Sequence, residues 1–373
     1  MEFIINKSVV ANAAKMLAKV ISRKPALPIL QNILFEVEYN HLWLTASDYE
    51  VILQAHLDLD KDRGNTGKFC VSPKRLQKAL ANVSEQPLTF TYDDIHDTLT
   101  IQHEHGEFHF HAEPADEYPL PSGQKYCHLL SMPAAKLATI LKRTYFAIAD
   151  DELRPIMSGV CLSAKDERLD IVASDGHTLV RTRLQRPDLT KGTNEEIVMP
   201  RKAAKIAPLI LKGLKADIVV SAKWSFINCG QYRLSFRHID GKYPNYNSVV
   251  PREQPHTAVI WRDLFLKRVK QIAPFTNDSS ESVHLTIAQD LTLTGDDFDF
   301  LFGASAFMPI KYTDGPIKMG LRSTTLQKIL THLPGEKLKF MFKNAKVCTT
   351  FEPIEQPAGE EITMLLMPMI INE

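Results

Sequence analysis

A serine, an aspartate and a histidine fall within four residues, Ser174-Asp175-Gly176-His177, and suggest a hydrolase site. Such a site uses the serine hydroxyl as nucleophile and the imidazole as base. Residues of one turn rarely reach that geometry, and no Gly-x-Ser-x-Gly segment occurs in the chain. A second copy, Ser47-Asp48-Tyr49-Glu50, keeps the aspartate and loses the histidine. We therefore predict a turn whose aspartate accepts backbone N–H bonds, with no catalytic residue and no enzyme activity.

Two His-x-His pairs, which could suggest zinc, are formed by His103, His105, His109 and His111. Their alternation with Phe108 and Phe110 is typical of a strand with one apolar and one polar face. No cysteine or carboxylate supplies an obvious second half of a ligand set. We expect no metal site, although the sequence leaves open whether these pairs bind a metal. No Gly-x-x-x-x-Gly-Lys-Ser/Thr segment occurs either, so we expect no nucleotide or other cofactor.

These segments belong to a chain that repeats itself. Residues 28–53 recur 127 residues later, and Val71-Ser72-Pro73-Lys74 recurs at the same offset as Val198-Met199-Pro200-Arg201. A weaker third copy aligns 42–48 with 291–297. A period of domain size indicates tandem domains, which we place at 1–126, 127–255 and 256–373.

Each repeat has the same order of predicted elements. A short strand leads into an apolar-periodic helix, alternating strands follow, and a second helix precedes further strands. The predicted helices cover 7–21, 73–82, 133–148, 200–213, 261–273 and 322–333. Two helices on a mostly antiparallel sheet make an α+β domain, so we predict three tandem α+β domains.

Charge is divided unevenly between these elements. With the first window extended to residue 24 and the fourth to 215, the helices hold 22 of the 44 basic residues and one of the 44 acidic residues, Asp263. Glutamate forms helices as well as lysine does, so helix propensity alone does not explain its absence. We infer that the helices face a phosphate backbone, with contacts that do not depend on base sequence.

Composition sets the broad class. The 44% hydrophobic and 24% charged shares are typical of a soluble globular protein, and no apolar run is long enough to cross a membrane. The N-terminus lacks a signal-peptide profile. The five cysteines are scattered singly, which is typical of reduced thiols in a cytoplasm.

The sequence resembles the bacterial beta sliding clamps from end to end. The segments that carry the resemblance are 24–30 (Lys-Pro-Ala-Leu-Pro-Ile-Leu), 173–179 (Ala-Ser-Asp-Gly-His-Thr-Leu), 240–246 (Asp-Gly-Lys-Tyr-Pro-Asn-Tyr) and Met367-Pro368-Met369. Each is short, but their order and spacing on a threefold repeat are specific. The resemblance implies a homodimer whose six domains close a ring around duplex DNA and tether polymerases to it.

The resemblance also implies three sets of site residues. A pocket between the second and third domains would dock short linear motifs of polymerase subunits, the clamp loader and repair proteins. Its residues would be Met157, Ser174, Gly176, His177, Thr178, Leu179, Pro244, Ser248, Val249, Leu365, Met367, Pro368 and Met369. Together with the charge division, it predicts a DNA-facing set of Arg23, Lys24, Lys78, Lys142, Arg201, Lys202, Lys205, Lys267 and Arg268. The dimer contact would join Phe108 and Phe110 to Pro274 and Phe275.

The chain departs from the family pattern at some of these positions. Thr178 and Ser248 stand where many relatives carry arginine, so we expect one rim of the pocket to be less cationic. The tail 370–373 is longer than in some relatives and is expected to crowd the groove. Asp151, at a DNA-contacting loop position next to Arg154, is a poor phosphate ligand.

Two alternatives remain at this stage. One is a non-enzymatic DNA-binding or scaffolding protein of tandem α+β domains that closes no ring; its oligomeric state would distinguish it from a clamp. The other is an enzyme acting on DNA, which is disfavoured because no carboxylate cluster suits two metal ions.

Overall fold

The computed structural model describes residues 1–59, 66–121, 125–151, 153–165, 167–185, 188–189, 194–251, 253–297 and 302–369. They fall into two compact units. The first unit comprises Met1–Ala138 and Lys202–His238, and the second comprises Thr139–Arg201 and Ile239–Glu373. Each unit combines helices with antiparallel sheets, so the predicted α+β class is confirmed.

The described part of the chain contains six α-helices, five of which directly follow a strand, while the second is separated from the preceding strand by one residue. They are α1 (Lys7–Leu17), α2 (Pro73–Leu80), α3 (Ala134–Tyr145), α4 (Arg201–Ile210), α5 (Arg262–Ile272) and α6 (Ser323–His332). All six predicted helices are confirmed, but α1, α3 and α4 end three or four residues before their predicted ends. The apolar spacing extended these predictions too far because Val20, Ile148 and Leu211, which lie beyond the helix ends, are buried as well. None of the described helices has the length and apolar character needed to cross a membrane.

The strands occur in three similar series along the chain. They are β1 (Glu2–Asn6), β2 (Ile33–Glu38), β3 (His41–Ser47), β4 (Val51–Asp58), β5 (Gly67–Val71), β6 (Pro87–Asp93), β7 (Thr98–His103), β8 (Gly106–His111), β9 (Cys127–Pro133), β10 (Gly159–Lys165), β11 (Arg168–Ser174), β12 (Thr178–Gln185), β13 (Asp188–Leu189), β14 (Glu195–Pro200), β15 (Lys215–Val220), β16 (Trp224–Cys229), β17 (Tyr232–Arg237), β18 (His256–Trp261), β19 (Ser282–Ile287), β20 (Asp290–Asp297), β21 (Phe302–Pro309), β22 (Ile317–Arg322), β23 (Lys337–Phe342), β24 (Thr349–Pro353) and β25 (Glu360–Leu366). Short 3₁₀ turns cover Pro28–Gln31, Pro155–Met157, Tyr246–Ser248 and Ala273–Phe275.

The first unit contains two antiparallel sheets. One has the strand order β1-β6-β7-β8, and the other runs β9-β15-β16-β17-β4-β3-β2-β5. In the longer sheet, β17 of the second sequence repeat pairs with β4 of the first, with Tyr232 opposite Ala55. Strand pairing therefore joins two repeats into one sheet.

The second unit follows the same plan. Its sheets have the orders β21-β20-β19-β22 and β14-β10-β11-β12-β25-β24-β23-β18. Here β12 of the second repeat pairs with β25 of the third, with Thr178 opposite Leu366. The second repeat thus contributes strands to both units, so the compact units do not follow the repeats. The division at 126 and 255 stays a prediction.

The helices are amphipathic because their apolar residues recur at the helical period. In α5 the buried side chains are Phe265, Val269 and Ile272, while Lys267 and Lys270 are exposed. In α2 the buried positions are Pro73, Leu76 and Leu80, and the basic residues again lie on the exposed face. Burial of the apolar stripe fixes which face of each helix carries the positive charge.

One basic residue of α3 points inward and makes a buried ion pair. The side chains of Arg143 and Glu360 are 5% and 9% exposed, with Nη1 3.0 Å from Oε2. Arg143 also lies 3.4 Å from the Thr182 hydroxyl. Removing one member of a buried pair is costly because the other charge loses its compensation.

We expect Arg143→Met to lower the free energy of unfolding by about 3 kcal/mol, since the Glu360 carboxylate loses its guanidinium partner. Arg143→Met combined with Glu360→Met should recover most of that loss. Urea denaturation followed by circular dichroism measures both effects. Lys142→Met, on the exposed face of the same helix, is the control. A loss as large in Lys142→Met would contradict the assignment to the ion pair.

Candidate functional site

The turn between β11 and β12 is organised by a single aspartate. The Oδ1 atom of Asp175 accepts the backbone N–H groups of His177, at 2.9 Å, and Thr178, at 2.6 Å. The Ser174 hydroxyl donates to the Thr178 carbonyl at 2.8 Å and accepts the Gly176 N–H at 3.1 Å. The predicted turn role of the aspartate is confirmed, and the serine hydroxyl bonds to backbone within the turn.

The first repeat contains the same turn, between β3 and β4. Its Asp48 Oδ1 atom accepts the N–H groups of Glu50, at 3.1 Å, and Val51, at 2.7 Å. Tyr49 has φ 84° where the second repeat has Gly176 with φ 91°. A tyrosine in this left-handed region is strained, whereas glycine adopts it freely. The two turns share their hydrogen bonding and differ in whether a side chain stands at the tip.

An apolar cavity of about 350 Å³ opens beside the 174–178 turn. Its lining includes most of the residues that the sequence analysis assigned to a pocket, namely Met157, Ser174, Gly176, His177, Thr178, Leu179, Pro244, Val249, Leu365 and Met367. It also includes Arg154, Tyr243, Asn245, Tyr246 and Cys348. The fold therefore brings together five separate segments of the second unit around this cavity.

Strand pairing builds the floor of the cavity. Leu179 of β12 stands directly opposite Leu365 of β25, and both are nearly fully buried. Just beyond β25, the Met367 N–H donates to the His177 carbonyl at 2.8 Å. At the rim, Val249 is 52% exposed and Met367 is 39% exposed. The cavity thus has a rigid apolar floor and an accessible apolar rim.

Two tyrosines anchor one wall of the cavity to the sheet. The Tyr243 hydroxyl accepts the Ser174 N–H at 3.0 Å, and the Tyr246 hydroxyl donates to Asp170 at 3.0 Å. Asp170 in turn forms a two-point ion pair with Arg183, at 2.7 and 2.9 Å. Burial raises the pKa of both tyrosines above the ordinary value, so both hydroxyls stay protonated and neutral near neutral pH.

The polar groups at the cavity are few. The Thr178 hydroxyl is buried and, within the described part of the chain, has no hydrogen-bond partner. Burial raises the pKa of the Cys348 thiol, which therefore stays protonated. The Arg154 guanidinium pairs with Asp151, with Nε 2.8 Å from Oδ2. It also lies so close to Gly176 that a Cβ there would be 3.3 Å from Nη1.

Three of the predicted pocket residues lie outside the cavity lining. The Ser248 hydroxyl donates to the Asn245 carbonyl at 2.7 Å, and the Met369 N–H donates to the Gly320 carbonyl at 2.8 Å. Pro368 lies between Met367 and Met369 and is partly exposed. The tail 370–373, which was expected to crowd the groove, lies outside the described residues.

Some lining residues were missed by the sequence analysis. Tyr243, Asn245 and Tyr246 belong to the 240–246 segment that carries the family resemblance, so a signal was present there. Arg154 and Cys348 gave no such signal. Arg154 precedes the 3₁₀ turn Pro155–Met157 and Cys348 precedes β24, and only the fold places them beside the 174–178 turn.

The predicted DNA-facing residues differ in their exposure and contacts. Six of them are exposed on helices or beside them: Arg23, Lys24, Lys78, Lys142, Lys205 and Lys267. Arg268 is partly buried and donates to the Gln271 side chain at 2.9 Å. The remaining two, Arg201 and Lys202, bind other groups of the protein through their guanidinium and ammonium groups.

Both of these residues make specific internal contacts. Arg201 donates to the carbonyl groups of Ile148, at 2.9 Å, and Ala149, at 3.1 Å. Lys202 forms an ion pair with Asp48 and donates to the Val20 carbonyl. Their charges therefore support local structure and are less available to a partner than those of the exposed group.

The residues predicted for a dimer contact lie on the edge strand β8 and in the 3₁₀ turn Ala273–Phe275. Phe108 and Phe110 are partly buried on β8, with His109 and His111 exposed between and beyond them. Pro274 and Phe275 are exposed in the second unit, and the ring of Phe275 packs edge-on against Phe302 at 5.9 Å.

The two His-x-His pairs engage neighbours on the same hairpin. His109 contacts Glu107 and the Thr100 hydroxyl, and His103 stacks on Phe108. Within the described residues these histidines do not belong to a group with metal-ligand spacing.

Comparison of the sequence with known proteins finds matches to one family along the chain. The family model for the DNA polymerase III beta subunit, N-terminal domain, matches residues 1–122, and the model for its central domain matches 131–245. A beta sliding clamp of Caulobacter vibrioides is 25% identical over 99% of this chain and 100% of that protein.

Solved structures show the same fold. The DNA polymerase III subunit beta from Pseudomonas aeruginosa superimposes with a TM-score of 0.93 at 22% identity, covering 100% of both chains. A sliding clamp from the same organism, bound to griselimycin, gives a TM-score of 0.92 at 22% identity over the same coverage. The family models cover more than half of the sequence, and the chain belongs to the bacterial beta sliding clamp family, the beta subunits of DNA polymerase III.

Proposed function

We propose that this chain is a DNA sliding clamp, a non-catalytic protein that encircles duplex DNA in the cytoplasm and tethers polymerases, the clamp loader and repair proteins. The observation that carries the proposal is the division of charge between the elements. Half of the basic residues lie in six helical windows that hold one acidic residue, and the apolar faces of those helices are buried.

The exposed lysines suit a phosphate backbone. They present point charges without interleaved aromatic side chains, so their contacts would be with phosphate and not with base edges. Such binding is weak and depends steeply on salt, because each contact releases counterions from the duplex. A protein that holds DNA this loosely stays bound only if it surrounds the DNA.

We predict that Lys205→Glu with Lys267→Glu makes the dependence of DNA affinity on salt shallower by about 0.9 for each phosphate that the variant no longer neutralises. Fluorescence anisotropy with a labelled duplex over a salt series measures this slope. On nicked circular DNA, the loaded wild-type protein should persist in moderate salt and should dissociate when the circle is cut.

Lys343→Glu with Lys346→Glu is the matched control, since it makes the same charge change at exposed positions outside the helices. The control should keep the wild-type slope. Equal lifetimes on circular and linear DNA would show ordinary site binding and favour the alternative of a DNA-binding protein that closes no ring.

The proposed ring needs a partner chain, and two sheet edges are suited to one. Among the described residues, β8 pairs only with β7 and β21 pairs only with β20. Phe307 on β21 is 71% exposed. A strand whose outer edge is unpaired and that carries apolar side chains is a template for pairing with another chain. We propose a head-to-tail homodimer of three-domain chains, divided at 126 and 255, in which β8 of one protomer meets β21 of its partner.

We expect Phe110→Glu with Phe275→Glu to give monomers, because a charge buried without a partner at an interface costs several kcal/mol. Native mass spectrometry at micromolar concentration measures the change. Leu214→Glu, at a residue that is 97% exposed, should leave the dimer intact. A double variant that stays dimeric would remove this interface from the proposal.

The cavity beside the 174–178 turn is proposed as the docking site for partner peptides. Its floor is apolar and buried, and its rim is apolar and accessible. A groove of this size suits a few apolar anchors and roughly micromolar affinity, which is typical of transient contacts.

Replacing Val249 with lysine should weaken binding of a Gln-Leu-x-Leu-Phe peptide at least about tenfold, a loss of about 1.4 kcal/mol, because a charge replaces an apolar rim contact. Isothermal titration calorimetry measures the affinity. The exposed-residue control, Leu214→Lys, should bind as the wild type does. Unchanged affinity in Val249→Lys would place the peptide elsewhere.

A further inference from the structure

A group of metal-ligating side chains lies on one face of the long sheet in the first unit, away from the surfaces discussed above. It is formed by His41 of β3 with His56 and Asp58 of β4. Each side chain offers one ligand atom, and these atoms all lie within 4.8 Å of one another. None of the three residues takes part in the proposed DNA, dimer or peptide contacts.

The strand register sets this arrangement. His41 stands directly opposite Asp58, and Trp43 stands directly opposite His56. Since residues two apart on a strand share a face, all four side chains lie on the same side of the sheet. Both strands are interior to the sheet, with β4 held between β3 and β17. The backbone under the group is therefore rigid, as a binding site requires.

The distances are close to those of a metal site. His41 Nδ1 lies 3.1 Å from Asp58 Oδ1. Two ligand atoms at about 2.1 Å from a tetrahedral zinc ion would be about 3.4 Å apart. The His56 ring lies 4.6 Å from the His41 ring and 4.4 Å from the Trp43 ring, centroid to centroid. Small side-chain rotations would bring the third ligand atom into range.

The second repeat shows that the fold does not require these residue types. At the same register its strands carry Arg168 opposite Gln185 and Asp170 opposite Arg183. There Asp170 and Arg183 form an ion pair that supports the cavity wall. The first repeat instead carries two imidazoles and a carboxylate at three of the four equivalent positions. Imidazole and carboxylate together form a ligand set for zinc and neighbouring divalent ions.

We propose that His41, His56 and Asp58 bind one divalent first-row transition-metal ion, with an open coordination position facing solvent. Three protein ligands with an open fourth position are sufficient for such an ion. The ion would link β3 to β4 through side chains, in addition to the backbone ladder. Metal binding here does not depend on the proposed clamp function, because it uses none of the residues assigned to that function.

The first test is zinc binding to the full chain without a histidine tag, measured by isothermal titration calorimetry with zinc alone. One ion per chain is expected, and His41→Gln or His56→Gln should each weaken binding at least about tenfold. His105→Gln with His109→Gln, two exposed histidines on another hairpin, is the control and should keep the wild-type affinity. Absence of saturable binding in the wild type, or wild-type affinity in the ligand variants, would overturn the proposal.

A second readout locates the ion. Trp43 is one of three tryptophans in the chain and packs against the His56 ring, so Cu²⁺ at this site should quench part of the tryptophan emission. In Trp43→Phe the quenching should disappear while zinc binding remains. Quenching that survives in Trp43→Phe would place the ion beside another tryptophan and contradict the assignment. Melting temperatures without metal show that each variant is folded.

Discussion

The pairing of strands from neighbouring sequence repeats is the interaction on which the rest of this structure depends. A repeat on its own would leave the edge strands β4 and β25 with unpaired backbone groups. Pairing of β17 with β4 and of β12 with β25 satisfies those groups and continues each sheet. The same pairing sets Leu179 opposite Leu365 and so forms the floor of the cavity. The candidate site therefore exists only because two repeats share a sheet.

The same aspartate-centred turn occurs in the first two repeats, with a different residue at its tip. Both copies use an aspartate to accept two backbone N–H groups, which fixes the tight path of the chain. In the first copy the tip is Tyr49, which occupies the left-handed region at a cost of roughly 1 kcal/mol or more. In the second copy the tip is Gly176, which lets the Arg154 guanidinium approach closely. The glycine leaves room at the rim of the cavity, whereas the tyrosine of the first copy projects into solvent, 52% exposed.

The basic residues on the helices have two different roles: some make contacts inside the protein, and others are exposed to solvent. Arg143 and Lys202 are held in ion pairs, and Arg201 caps two backbone carbonyls. These contacts hold segments of the fold together, because a paired guanidinium or ammonium satisfies acceptors that would otherwise lose water on folding. The exposed lysines present their side chains to solvent. A count of basic residues thus overstates the charge that a DNA duplex would meet.

Residue patterns alone were enough to predict the repeat, all six helices, the α+β class and the turn role of Asp175, and the family resemblance named ten of the residues that line the cavity. Periodicity and local turn chemistry depend on neighbours along the chain, and the remaining assignments came through family resemblance. The fold was needed to show that Arg201 and Lys202 turn inward, that Cys348 and Arg154 line the cavity, and that His41, His56 and Asp58 share one face. Those outcomes depend on strand register and on which side chains remain in solvent, and no local pattern of residue types encodes either.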